Sequence, residues 1–461
     1  MPFTAIILAA GEGTRMKSHH PKVMHKVLDH PLVWWAVNSV RQAGASRVIV
    51  VVGNGADEVR SYLADADVEF VEQAERLGTG HAVRVVRDAV GSFQGPVVVT
   101  YGDSPLVRPQ TISALVDATR AAHAACTVLT MEPPDPTGYG RILKDATGAV
   151  TGIVEEKDAT PEQRAIRDCN SGVYCFCGGR LTANIDKVDN KNAKGEYYLT
   201  DMVGIYASMG EPVQAVACED YRELLGVNSR SQLAVATKIM QRRINEELMA
   251  QGVTILDPDQ VWVGPEVSVG MDTVLMPQTF LWGKTTVGEA CTVGPNSRLE
   301  NAHVGNGCVV DETIIQDSTI DNNVKCGPRA YIRGGAHFCD GSKAGTHVEI
   351  KGSEVGEGSK VPHLSYIGDA RLGKNVNIGG GSITCNYDGK HKSHTEIGDH
   401  VFVGSDTMMV APVTIGNNAL VGASSCITSD VPAGALALER SKQVVIEGWA
   451  DKYWEKLEKE D

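Results

Sequence analysis

Aromatic side chains are scarce in this chain, at 5% of its 461 residues. A core built on large rings is excluded, and the interior must be packed from small and branched aliphatics around many turns. Long apolar runs are missing too. No stretch approaches the length needed to span a bilayer. No basic segment precedes the first apolar run, so the N-terminus reads as a strand and not as a secretory signal. Zinc-like C-x-x-C pairs are absent among the eleven cysteines, and their odd number rules out a fully paired disulfide framework. Reduced, small core residues in a cytoplasmic chain fit that usage. Cations are outnumbered, with 43 Lys and Arg against 57 Asp and Glu and a formal net charge of −14. This excludes a general nucleic-acid binder, and anionic substrates must be met by local basic clusters. Glycine, by contrast, is abundant at 49 residues, and the overall balance is that of a globular protein of two or three domains.

The most informative stretch is residues 6–22, I-I-L-A-A-G-E-G-T-R-M-K-S-H-H-P-K. Ile6, Ile7, Leu8, Ala9 and Ala10 form an apolar run of the kind a doubly buried parallel strand requires. Gly11 and Gly13 then turn the backbone and leave its N–H groups open to an anion. Arg15 offers a fork for phosphate oxygens and Lys22 a compact point charge. Neither standard phosphate fingerprint is met. No Gly-Lys-Ser/Thr closes the loop, and the third glycine of the dinucleotide motif is missing. A lone G-x-G is usually an ordinary turn; here Arg15, Pro21 and Lys22 follow it in order.

The next two hundred residues alternate helix-like and strand-like runs. Residues 31–44 read as a helix with Pro near its start and Gly past its end. A strand over 47–52, a helix over 56–63, a short strand over 68–71 and a helix over 81–90 follow. This is the βαβ rhythm of an open parallel sheet, whose ligands bind beyond the carboxyl ends of the strands. Gln73 offers an amide suited to a base edge, and Gly78 and Thr79 allow close backbone approach. A strand ending at Thr100 is followed by Tyr101, Gly102 and Asp103, and a carboxylate in that place is a natural Mg²⁺ ligand. T-G-Y-G-R at 137–141 is a glycine turn. Glu155 ends another strand, and Asn170 opens one; both suit sugar hydroxyls. Residues 196–206 read as a helix and 213–217 as a strand. Asn228 and Ser229 are placed to cap a long amphipathic helix that Gly252 stops. Three parts result: 1–227, a linker helix over 228–251, and 252–461.

After that helix the periodicity changes. Val263, Val269, Leu275, Leu281, Val287, Val293 and Leu299 recur every six residues; the register slips, then recovers at Val355, Val361 and Ile367. It runs again through Ile397, Val403, Met409, Ile415, Val421 and Ile427. An internal hexapeptide repeat is the mark of a parallel β-helix. It breaks between Gly379 and Glu396, a polar glycine-rich stretch where function tends to sit. At the end, Trp449, Tyr453, Trp454 and Leu457 share one face of a short helix, suited to dock on a coil or a neighbouring subunit.

L-A-A-G-E-G-T-R-M-x(4)-P-K resembles the signature of sugar-1-phosphate nucleotidyltransferases, and the six-residue repeat resembles the left-handed β-helix of hexapeptide acyltransferases. With the linker helix between them, the chain resembles the bifunctional N-acetylglucosamine-1-phosphate uridyltransferase and glucosamine-1-phosphate acetyltransferase family over nearly its whole length. The fold implied is an α/β, Rossmann-like nucleotidyltransferase domain followed by a left-handed parallel β-helix. The resemblance implies that Leu8, Ala9, Ala10, Gly11, Gly13, Arg15, Lys22, Gln73, Gly78, Thr79, Tyr101, Gly102 and Asp103 bind UTP, with Arg15 and Lys22 catalytic. It assigns N-acetylglucosamine-1-phosphate to Gly140, Glu155, Asn170 and Asn228, and Mg²⁺ to Asp103 and Asn228. Glucosamine-1-phosphate falls to Arg333, Lys351, Tyr366, Asn377 and Lys392, with His363 as general base. Acetyl-CoA falls to Gly380, Asn386, Tyr387, Ser405, Ala423 and Arg440. The family reads N-I-G-A-G-T where this chain reads N-I-G-G-G-S, so Gly380 replaces an alanine. A homotrimer with acetylation preceding uridylylation is implied, and a one-reaction nucleotidyltransferase with a β-helix used only for assembly is the nearest rival.

Overall fold

Ile6, Ile7 and Leu8 lie in the strand Phe3–Leu8, whose six residues are all buried, as a strand covered on both faces must be. The computed structural model describes residues 2–459. The chain divides into two units, Met1–Arg243 and Ile244–Asp461, with the boundary inside the helix Arg230–Ala250.

In the first unit the sheet runs in the order Val213–Ala217, Cys126–Met131, Cys169–Cys177, Pro96–Tyr101, Phe3–Leu8, Ala45–Val52, Glu69–Glu72. Only Cys169–Cys177 runs against its neighbours along this order. Alternation sends Ile7, Val50 and Val98 to one face, under the helices Leu32–Gln42 and Pro109–Ala121. Ile6, Leu8, Val97 and Val99 go to the other, under Thr79–Val90 and Asp201–Ser208. Each fully buried Val, Leu or Ile stabilises by about 1.5–3 kcal/mol, so this double cover anchors the sheet. The central strands Phe3–Leu8 and Pro96–Tyr101 are parallel neighbours, so the glycine loop and Asp103 emerge side by side.

The helix expected over 196–206 begins only at Asp201. Residues 197–199 are instead held out of a helix by long-range bonds: Tyr197 N–H to Leu77 O (2.7 Å), Gly80 N–H to Tyr197 O (2.8 Å), and Leu199 N–H to Thr79 Oγ1 (3.0 Å). Long-range pairing overrides local helix propensity there. Ser229 caps Arg230–Ala250, its Oγ accepting from Gln232 N–H at 3.2 Å, whereas the Asn228 side chain is drawn elsewhere.

The second unit is a coil of three parallel sheets, each turn of chain contributing one short strand to each. The inward ladder continues through the stretch where the sequence register slips. The slips are five-residue steps, as from Leu299 to Val304 and from Ile315 to Ile320, and every one of these side chains stays buried. Corners are turned by residues in the left-handed region, among them Asn301, Asn323, Asn375 and Asn418. Asparagine tolerates that conformation, so glycine is not needed at every corner.

The expected break over 379–396 is shorter than the sequence suggests. Ile383–Cys385 remains in its sheet, with Thr384 taking an inward place. Its hydroxyl accepts from Gly368 N–H at 2.7 Å and donates to Gly368 O at 3.0 Å, so a polar residue is satisfied inside an apolar ladder. Residues 386–394 alone leave the coil. The tail helix Trp449–Leu457 stacks Trp449 on Tyr453 at 5.3 Å and has no buried residue. Its aromatic face is not docked on a coil of its own chain among the described residues.

Candidate active sites

Beyond the carboxyl ends of Phe3–Leu8 and Pro96–Tyr101 lies a cleft of about 730 Å³ lined by Leu8, Ala9, Ala10, Gly11, Lys22, Gln73, Gly78, Thr79, Tyr101 and Asp103. A second hollow of about 500 Å³ is lined by Arg15, Gly140, Ser171, Gly172 and Asn228. Tyr101, Asp103, Glu155 and Asn170 line both, so the two hollows form one bipartite cleft. Apart from Arg15, which lines the second half, the predicted nucleotide residues lie in or beside the first half, and the predicted sugar residues line the second. Gly13 is left-handed at φ 64°, and a side chain there would collide with Lys22, so glycine is required at that turn.

Lys22 stands at the junction. Its Nζ donates to Asp103 Oδ2 and, at 2.9 Å, to Asn228 Oδ1, with both ends of the ion pair largely buried. An ammonium group therefore occupies the space between the two predicted metal ligands. One carboxylate and one amide oxygen converging on a cation are the hard donor set Mg²⁺ accepts.

On the nucleotide side, Gln73 is buried and its Nε2 donates to Gly78 O at 3.1 Å. On the sugar side, Asn170 Oδ1 accepts from Gly172 N–H and from the Tyr174 hydroxyl, both at 3.0 Å, which fixes its amide. Burial pushes the Glu155 carboxyl up, and Lys194 opposes the shift. Four residues of this cleft escape sequence reading: Lys194, Glu196, Tyr198 and Thr200. Glu196, Tyr198 and Thr200 were hidden by reading residues 196–206 as one helix, and Lys194 lies just before that span with no motif to signal it. Arg76, paired with Glu12 of the glycine loop, was also missed; nothing but its place beside Gly78 signalled it.

In the second unit, Arg333, Lys351 and Gly368 are register neighbours on three successive turns of one sheet, and Tyr366 projects two residues before Gly368. Arg333 forks onto Glu349 at 2.6 and 3.0 Å. Lys351 Nζ meets Asp369 at 2.8 and 3.1 Å, and Asn386 Nδ2 meets the same carboxylate at 2.6 Å. Burial pushes the Asp369 carboxyl up, but its bonds from Lys351 and Asn386 outweigh this and hold it below the usual range. Lys351 also depresses Lys392 nearby. Asp369 is thus the organiser of this cluster, and the sequence offered only a Gly-Asp corner, left-handed at φ 49°, to find it.

His363, Gly380, Ser405 and Ala423 fall in one column at the corner after another sheet, each following the inward residues Val361, Ile378, Val403 and Val421 by two positions. Asp406 N–H donates to Gly380 O at 2.8 Å and Ser424 N–H to Ser405 O at 2.8 Å, which continues the stack. A Cβ on Gly380 would lie 3.3 Å from His363 Cβ. Arg440 donates to Ala423 O at 3.2 Å and edges a hollow of about 550 Å³. His363 is exposed, and Tyr366 follows it onto the sheet of Arg333 and Lys351. Asn386 joins the Asp369 cluster rather than this column, and Tyr387 lies on the exposed loop, bridged to Lys392. Asn377 is not brought to Arg333, Lys351 and Tyr366: it lies on the sheet with Lys360 and Phe402.

The MobA-like NTP transferase domain family matches residues 5–167, and the bacterial transferase hexapeptide family, six repeats, matches residues 394–429. The chain is similar to Bifunctional protein GlmU of Caldanaerobacter subterraneus subsp. tengcongensis, with 50% identity over 448 residues and 97% of each chain covered. It is 48% identical over 446 residues to Bifunctional protein GlmU of Heliobacterium modesticaldum, again covering 97% of each. Bifunctional protein GlmU of Streptomyces avermitilis is 46% identical over 452 residues, covering 97% of this chain and 94% of its own.

Proposed function

The chain belongs to the family of bifunctional GlmU proteins, and from that premise we propose how its two sites divide the synthesis of UDP-N-acetylglucosamine. The β-helix unit transfers acetyl from acetyl-CoA to the amine of glucosamine-1-phosphate. The N-terminal unit joins the resulting N-acetylglucosamine-1-phosphate to UTP and releases pyrophosphate. The functional parts are 1–227, a linker over 228–251, and the acetyltransferase over 252–461. The observation that carries the reading is the bipartite cleft, in which Tyr101, Asp103, Glu155 and Asn170 serve both halves. A nucleotide and a sugar phosphate placed in the two halves meet at Lys22 and Asp103.

In the uridylyl step the sugar phosphate oxygen attacks the α-phosphorus of UTP in line with the departing pyrophosphate. Catalysis of this type rests on positioning and on neutralising charge. The glycine loop and Arg15 hold the triphosphate, Gln73, Gly78 and Thr79 hold the base, and Gly140, Glu155 and Asn170 hold the sugar. Asp103 and Asn228 would hold Mg²⁺, which would supply charge neutralisation at the phosphates, and Lys22 beside them would answer the phosphate oxygens. In the acetyl step Arg333, Lys351 and Lys392 bind the phosphate, with Tyr366 and Asn377 at the sugar. His363 takes the amine proton as the nitrogen attacks the thioester, and thiolate leaves as CoA. Gly380, Ser405, Ala423 and Arg440 line the cofactor's path, with Asn386 and Tyr387 at the loop. Asn377 and the Arg333 cluster lie on different sheets of one chain, which supports a site shared between copies, and a homotrimer of neighbouring β-helices would bring the second copy. The setting is cytoplasmic, and no described helix is long and apolar enough to cross a membrane.

The test is to supply glucosamine-1-phosphate, acetyl-CoA, UTP and Mg²⁺ to the purified chain. UDP-N-acetylglucosamine should form, with one CoA and one pyrophosphate released per product. Acceptance of N-acetylglucosamine-1-phosphate alone, without acetyl transfer, would reduce the β-helix to an assembly role.

A further inference from the structure

Away from both sites, three chemically different side chains converge on the third sheet of the β-helix. Phe338 of the strand His337–Phe338 points into the core with no exposure, so His337 and Cys339 on either side of it face outward. One turn earlier, Thr319 pairs with His337 and Ile320 with Phe338, which puts Asp321 alongside Cys339. The backbone confirms the register, with Asp321 N–H donating to Phe338 O at 2.8 Å. His337 Nε2 lies 3.0 Å from Asp321 Oδ2, and one ligand atom from each of Asp321, His337 and Cys339 lies within 4.8 Å of the others. One turn later Gly356 stands next to the place of Cys339 and leaves the thiol without a side chain over it.

The surroundings favour a cation. Glu354, Asp340 and Glu357 lie near Cys339 together with Asp321; after burial, these carboxylates push the thiol up. Two of them are already countered, Glu354 by Arg371 at 3.5 Å and Glu357 by Lys374 at 2.8 Å. Asp321 is left facing the imidazole and the thiol. We propose that Asp321, His337 and Cys339 form a binding site for one Zn²⁺ ion that clips two successive turns of the β-helix together.

The donor set selects the metal. Zn²⁺ takes imidazole nitrogen, thiolate sulfur and carboxylate oxygen in one tetrahedron, with water completing a set of three protein ligands. Mg²⁺ and Ca²⁺ are bound by oxygen and gain little from imidazole or thiolate. The metal-binding residues of the uridylyl site offer oxygen only, so the two sites sort their metals by chemistry. The scaffold is suited to this use. All three residues sit on or beside ladder strands, and their ligand atoms already lie within 4.8 Å of one another.

The experiment titrates the full chain with Co²⁺, which replaces Zn²⁺ in such sites and reports sulfur ligation by a thiolate-to-cobalt absorption in the near ultraviolet. One equivalent should produce that band, and added Zn²⁺ should bleach it. Cys339→Ser should abolish the band, and His337→Ala should weaken Co²⁺ binding at least about tenfold. Zn²⁺ should raise the melting temperature of the wild-type chain and leave that of Cys339→Ser unchanged. If Cys339→Ser does not fold, His337→Ala, which keeps the thiol, decides the matter by its affinity. No thiolate band at equimolar Co²⁺, or a band of full strength in either folded variant, overturns the site.

Discussion

The Lys22 ammonium donates to the Asp103 carboxylate, joining residues 81 positions apart in the chain at the floor of one cleft. The strand Phe3–Leu8 delivers the loop that carries the lysine, and its parallel neighbour Pro96–Tyr101 delivers the aspartate. The pair holds together two groups of opposite charge: in the proposed reaction the cation answers phosphate and the anion a metal ion.

Asp103→Ala removes the only carboxylate in the proposed Mg²⁺ set. Pyrophosphate release should fall at least about 100-fold, the range seen when one group of a preorganised charge clamp is lost. Acetyl transfer by the same variant should stay within twofold of wild type. Coupled assays for pyrophosphate and free CoA on one preparation read both.

His363→Ala should lower acetyl turnover by about 100- to 10,000-fold, the usual weight of a general base. Affinity for glucosamine-1-phosphate should change little, since Arg333 and Lys351 are held by Glu349 and Asp369 and not by the imidazole. A loss that falls on KM with turnover intact would contradict the role.

Gly380→Ala restores the residue usual in the family and places a methyl 3.3 Å from His363 Cβ. The imidazole must give by a few tenths of an ångström. Acetyl turnover should drop between about twofold and tenfold, well short of the ~100-fold that a 1 Å misplacement brings. Steady-state kinetics with acetyl-CoA varied would detect it.

The Asp201 carboxyl is pushed up to about 6 by burial, then by Asp189, Glu155 and Asp158. A carboxyl raised in the folded state contributes its stability below its unfolded value near 3.8 and loses it as pH rises through about 6. At pH 7 the ionised group is therefore a net cost. At face value this is about 3 kcal/mol, and solvent screening at a half-buried site reduces it to about 1 kcal/mol. Asp201→Asn should stabilise the chain by about that much at pH 7, with the gain vanishing below pH 4. Urea unfolding at the two pH values measures the difference.

Much of this was legible in the sequence because the determinants are local and periodic. The run Ile6–Ala10, the two glycines after it, and the six-residue recurrence of Val263 to Leu299 each specify their geometry within one element. What escaped depends on distant pairing. Residues 197–199 carry helix-compatible side chains, yet bonds to Leu77, Thr79 and Gly80 hold them out of a helix, which moved Glu196, Tyr198 and Thr200 out of view. Asp369 was invisible for a related reason. Its importance comes from Lys351 one turn before it and Asn386 one turn after, and no short motif contains all three. Five-residue steps such as Leu299 to Val304 read as a lost register, although the coil tolerates them by shortening a corner.

The central claim is that one chain carries two independent catalytic sites linked only by a diffusible intermediate, and complementation between inactive variants tests it most directly. Asp103→Ala and His363→Ala are each incubated with glucosamine-1-phosphate, acetyl-CoA, UTP and Mg²⁺, alone and mixed, and UDP-N-acetylglucosamine is quantified. Neither variant alone should make appreciable product, Asp103→Ala should accumulate N-acetylglucosamine-1-phosphate, and the mixture should restore synthesis to within a fewfold of wild type. A folded variant that loses both half-reactions, or a mixture that remains inactive, would contradict the account.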